Sequence, residues 1–122
     1  MAISTVDLAT PSSLQLYENT DIDEVKAGIK ASSAVVYSID LDNQNAAEVF
    51  LKLYNVAVGS VTVGTTPSQV TIMIPATTRL VLPIPGGWTF GTALTATCVL
   101  LAIENDTTDP GATTVKLKLI YV

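Results

Sequence analysis

No histidine occurs anywhere in the 122 residues, and cysteine, tryptophan and arginine occur once each. Each shortage excludes a class of chemistry. Without imidazole there is no Ser-His-Asp or Cys-His nucleophile system, no histidine general base and no zinc site that relies on nitrogen ligands. The lone Cys98 can form neither an intrachain disulfide nor an all-cysteine metal site. It lies in the run Cys98-Val99-Leu100-Leu101-Ala102-Ile103 and reads as a small buried hydrophobe rather than a reactive thiol. The lack of disulfides suits a reducing compartment. That run is also the longest unbroken apolar stretch, far short of the ~20 residues that cross a bilayer as a helix. The opening MAISTVDLATPSS has neither a basic n-region nor a long apolar h-region, so no secretory signal is expected there and no membrane partner.

Charge is scarce as well. Only 14% of residues are charged, 6 basic against 11 acidic, for a net charge of −5. The basic residues Lys26, Lys30, Lys52, Arg79, Lys116 and Lys118 never form a run, so nothing tracks a phosphate backbone and nucleic acid is not an expected partner. Neither a GxxxxGK[ST] phosphate loop nor a GxGxxG turn is present.

What the chain has in quantity is apolar side chain: 48% of residues, with a mean hydropathy of +0.46. That much is hard to hide in one small domain, so part of it is expected to face a partner. The apolar residues are patterned with a period of two, in segments rich in Val, Ile, Thr and Tyr. From Val35 to Leu41 the residues Val35, Tyr37, Ile39 and Leu41 share one face. From Glu48 to Tyr54, Val49, Leu51 and Leu53 alternate with Phe50, Lys52 and Tyr54. Val70, Ile72 and Ile74 alternate with Thr71 and Met73. Val115, Leu117, Leu119 and Tyr121 oppose Lys116, Lys118 and Ile120. Such strands place one face on a core and the other in water. Leu80–Ile84 and Ala93–Ile103 are apolar on both faces, as in central strands or strands covered by a partner. Turn signals fall at Asp42–Asn45, around a short Val61-Thr62-Val63 piece, at Pro85-Gly86-Gly87 and over Glu104–Gly111. Asp21–Ala34 is the one stretch where a helical turn competes, and Gly28 weakens it. Seven to nine short strands predict an all-β fold, an antiparallel β-sandwich or jelly roll. Residues 14–122 form the single domain and residues 1–13 a candidate N-terminal arm, whose Ile3, Val6 and Leu8 would dock on a neighbour or start the sheet.

Candidates for chemistry are few. Paired carboxylates of the glycosidase kind would have to come from acids placed in turns or at strand ends, where solvated charge is the ordinary reading. Calcium, the least implausible ion, would draw on Asp40, Asp42 and Asn43 or on Glu104, Asp106 and Asp109, but neither loop has the EF-hand pattern and no cofactor is expected. Trp88, after Gly86-Gly87, reads first as a core aromatic. Exposed, it would anchor in a partner's pocket or stack on a glycan. The interface candidates are therefore Ile3, Val6, Leu8 and Trp88.

Three segments, Phe50-Leu-Lys-Leu-Tyr-Asn55, Ile74-Pro-Ala-Thr-Thr-Arg-Leu-Val-Leu82 and Lys116-Leu-Lys-Leu-Ile-Tyr121, resemble the strands of small β-sandwich proteins of tailed-phage particles, the head decoration or cement proteins and related virion modules. The resemblance covers about residues 46–122 and includes a Thr/Pro loop at Val63–Ser68, a Gly-aromatic stretch at Gly86–Gly91 and an acidic loop at Glu104–Gly111. It implies a non-enzymatic structural protein of the virion, made in the host cytoplasm. Such a protein braces an assembled head by binding the major capsid protein or another virion protein, often as a dimer or trimer. The alternative is a receptor- or glycan-binding module of a phage tail or fibre.

Overall fold

The computed structural model describes residues 14–122. The candidate arm, with Ile3, Val6 and Leu8, lies outside the described residues. Eight strands follow one another: β1 (Gln15–Asn19), β2 (Ala27–Lys30), β3 (Ala34–Asn43), β4 (Val49–Tyr54), β5 (Val70–Ile74), β6 (Thr78–Phe90), β7 (Leu94–Val99) and β8 (Val115–Tyr121). A 3₁₀ turn at Val58–Ser60 is the only helical element among the described residues. The strands form two antiparallel four-stranded sheets, in the orders β1-β8-β3-β6 and β2-β7-β4-β5. First pairs with last, second with seventh, third with sixth and fourth with fifth. This is a long antiparallel ribbon rolled into a sandwich, the jelly-roll order.

The core lies between the sheets. Val36, Ile39 and Leu41 of β3 and Val115, Leu117 and Leu119 of β8 face Val49, Leu51 and Leu53 of β4, with Leu94, Ala96 and Cys98 of β7. These positions alternate because neighbouring side chains on a strand point to opposite faces. Asn43 closes one end of the core. It is fully buried, its Nδ2 shared among the carbonyls of Ala47, Ile74 and Pro75, and its Oδ1 accepts the Asn45 N–H at 2.9 Å.

Five details depart from the periodicity. Tyr37 is an extra residue in β3, a bulge between Val36 and Ser38 in both of its pairings. A bulge shifts the phase of a strand by one. Val36 therefore joins Ile39 and Leu41 in the core, and Val35 and Tyr37 leave it for the other face. Pro85-Gly86-Gly87 is not a turn between strands but part of a wide bulge inside β6, where residues 84–87 stand opposite Tyr37 alone. Gly86 (φ 82°) and Gly87 (φ 78°) adopt the left-handed backbone it requires. Val61 is buried, but Val61–Val63 forms no strand, because it follows the 3₁₀ turn directly and runs into the next turn. Asp21–Ala34 holds the four-residue strand β2 in place of a helical turn, and its Ala27 and Gly28 pair with Ala96 and Thr95. Finally, Lys52 and Tyr54 of β4 are not wet: both are buried on the side of their sheet away from the core.

That last departure separates the two sheets. Over β4 and β7 the outer side of β2-β7-β4-β5 is closed by the protein's own loops, while Met73 of the edge strand β5 stays 48% exposed. Lys52 Nζ donates to Ile103 O at 2.5 Å, Thr95 Oγ1 to Val56 O at 2.7 Å, and Tyr54 OH meets Thr97 Oγ1 at 3.2 Å. Segments 55–69 and 100–110 also grip each other, with Ser68 N and Oγ both donating to the Glu104 carboxylate. β7 is thus a central strand buried on both faces, but it ends at Val99, and Leu101 and Ile103 of the apolar run that continues beyond it are 50% and 57% exposed.

Candidate interaction surface

The outer side of the other sheet, β1-β8-β3-β6, has no such cover among the described residues. Register lays its outward side chains in rows. One row runs Leu16, Ile120, Ser38, Pro83; the next runs Glu18, Lys118, Asp40, Val81; the third runs Lys116, Asp42, Arg79. The first row, with the neighbouring Tyr37, is mainly apolar. Leu16 and Val81 are each 59% exposed and Ile120 40%. The other rows alternate in sign from strand to strand.

The charged part is ordered by one strong contact. Arg79 grips Asp40 with both nitrogens, Nε at 2.8 Å and the terminal nitrogen at 2.6 Å, a planar fork-to-fork geometry that a lysine does not reproduce. The guanidinium holds the Asp40 carboxyl below its ordinary range, aided by Lys118, and Asp40 in turn raises Arg79. Lys118 lies 3.7 Å from Glu18, both more than half exposed, so that pair adds little stability. Asp40, Asp42, Arg79, Lys116 and Lys118 line a shallow hollow of about 110 Å³. A roomier hollow of about 320 Å³ lies beside β2, where Ile29, Lys30, Ala57 and Val58 contribute to its wall and Lys30 is its one charged lining residue.

The acids that the sequence offers as ion ligands are regrouped. Asp40 and Asp42 point into the hollow among three bases, and Asn43 is spent inside the core. Glu104 is engaged by Ser68. Asp106 is folded back on its own loop, accepting from Leu101 N at 2.8 Å and from the Thr108 hydroxyl at 2.6 Å. Burial alone would raise its pKa, but the Thr108 hydroxyl, the N–H groups of Leu101 and Thr108 and the nearby Lys52 bring it below the usual value. Asp109 instead meets Asp23 and Glu24, with carboxylate oxygens within 4.8 Å of one another. Glu24 Oε2 is buried there without a hydrogen-bond partner.

Trp88 is half-buried. It pairs with Val36 and packs against the core from the edge strand β6. The residues that make the open face were visible in part. The period of β8 sets Lys116, Lys118 and Ile120 on one side, but no signal in the sequence says that Leu16, Arg79 and Val81 lie beside them. No family model, curated protein or solved structure matches the chain.

Proposed function

We propose that this protein is a non-enzymatic structural component of a phage particle, a decoration or cement protein. It braces the assembled head, with the major capsid protein or another virion protein as partner, and the outer face of β1-β8-β3-β6 is an interface on which that binding depends. The observation that carries this reading is the asymmetry of the sandwich. One sheet is roofed over its central strands β4 and β7 by the chain's own loops, while all four strands of the other are open and present Leu16, Ile120 and Val81 beside a band of paired charges. An apolar patch flanked by polar side chains is the usual anatomy of a protein interface. The jelly roll is a fold that capsid proteins use, although lectins use it too, so the face rather than the fold bears the argument.

The test is co-sedimentation with phage heads stripped of their decoration proteins. The full chain is expected to pellet with the heads, and the double variant Leu16→Glu/Ile120→Glu to lose at least tenfold in affinity with unchanged circular dichroism. Equal binding by both would sink the reading. Binding of the full chain to a glycan array, with none to heads, would favour the receptor-binding alternative.

A further inference from the structure

The open face has a property that bears on what covers it. Its charged residues are Glu18, Asp40 and Asp42 against Arg79, Lys116 and Lys118, three of each sign, so the face is neutral. The chain as a whole carries −5. Among the described residues the excess lies elsewhere, on seven acids against Lys26, Lys30 and Lys52. Two copies of an acidic protein repel over most of their surfaces, and a neutral face lacks that local repulsion.

The sign pattern goes further. A two-fold axis lying between β8 and β3, parallel to the strands, folds each row onto the same row of a second copy. Lys118 then stands over the partner's Asp40, Lys116 over the partner's Asp42, and Leu16 over the partner's Pro83. Both contacts of opposite charge occur twice, as a two-fold requires, and sheets stacked face to face with nearly aligned strands are a standard packing. We infer that the outer face of β1-β8-β3-β6 binds a second copy of this chain, as a face-to-face dimer matched by these two charge pairs. The inference rests on reading this face as an interface and names its occupant.

The decisive experiment is a charge exchange followed by sedimentation equilibrium of the full chain. Wild type is expected to be dimeric at high micromolar concentration. Lys118→Glu alone sets two acids against each other at each contact, and Asp40→Lys alone sets two bases together. Each is expected to weaken the dimer by about tenfold or more. An equimolar mixture of the two variants restores both contacts and is expected to dimerise as wild type does. Because Asp40 also holds Arg79, the same exchange with Lys116→Glu and Asp42→Lys gives a second pair that spares that contact. Failure of both mixtures to restore association, with all four variants folded, overturns the inference. A wild-type dimer that survives Leu16→Glu/Ile120→Glu overturns the inference, and the interface reading falls with it if head binding survives as well. A wild-type monomer whose head binding is still abolished by Leu16→Glu/Ile120→Glu overturns the second copy and leaves the interface reading standing. A monomer that dimerises only once residues 1–13 are removed shows that this segment covers the face, and it too overturns the inference.

Discussion

Cys98 shows how environment settles the role of a residue. It faces the core from the central strand β7, fully buried. Burial pushes its thiol up to about 12, with Asp23 adding to the effect. The thiolate is the reactive form, so the native protein is expected to leave Ellman's reagent uncoloured at pH 8 and to release one equivalent only in denaturant. Rapid reaction without denaturant would mean that β7 is accessible. Its apolar neighbours already point to burial of Cys98, although Leu101 and Ile103 of the same run are exposed because the strand ends at Val99. Lys52 is the contrary case. Its period assigns it to the outer face of β4, as found, but the loop that buries it there arrives from fifty residues away. No local pattern announces that contact.

At the scale of elements, the bulge opposite Tyr37 does most to shape the open face. Two changes in it separate backbone freedom from close packing. Gly86 has left-handed backbone and open space where a Cβ would go, so Gly86→Ala is expected to cost roughly 1–2 kcal/mol. Gly87 has the same backbone, but a Cβ there would overlap Val35 Cγ1 and crowd the Tyr37 ring, so Gly87→Ala is expected to cost roughly 2–4 kcal/mol. Urea unfolding of both variants checks the order, and equal losses would mean that the Val35 contact yields freely. Edge strand β6 also gains protection from this region, because Pro83 and Pro85 offer no N–H to a neighbouring strand. The Pro-Gly-Gly signal is legible in the sequence as a break in regular backbone. Whether that break reverses the chain or bulges one strand depends on the partner strand, which here continues on both sides of it.

For the molecule as a whole, two carboxylates tie distant segments and set the response to acid. Asp40 joins β3 to β6 through Arg79, and Asp106 anchors the loop that roofs β4. Both titrate below the ordinary value of 3.8. The folded chain therefore binds fewer protons than the unfolded chain just below that value. Their contribution is complete above the unfolded value and is lost as pH falls through the depressed folded ones. The urea midpoint is expected to be level from neutral pH down to about 5 and to fall steeply below 4. Asp106→Asn should lower the plateau and flatten part of the fall, and an unchanged slope would place the acid response in other groups.

The all-β class, the positions of β3, β4, β5 and β8, the burial of Cys98 and the absence of histidine chemistry follow from the sequence alone. They rest on side-chain alternation and residue type, which act within one strand. β1 and β2 lack a regular apolar alternation, and local pattern does not reveal them. Only the tertiary structure decides which strands are neighbours, that the bulge at Tyr37 exchanges Val35 for Val36 in the core, and that one sheet is roofed while the other is bare. The checkerboard of Lys116, Lys118, Asp40, Asp42 and Arg79 belongs to the same class. Its members come from β8, β3 and β6, and register across strands distant in the chain is set by the joint packing of both sheets, which no single segment encodes.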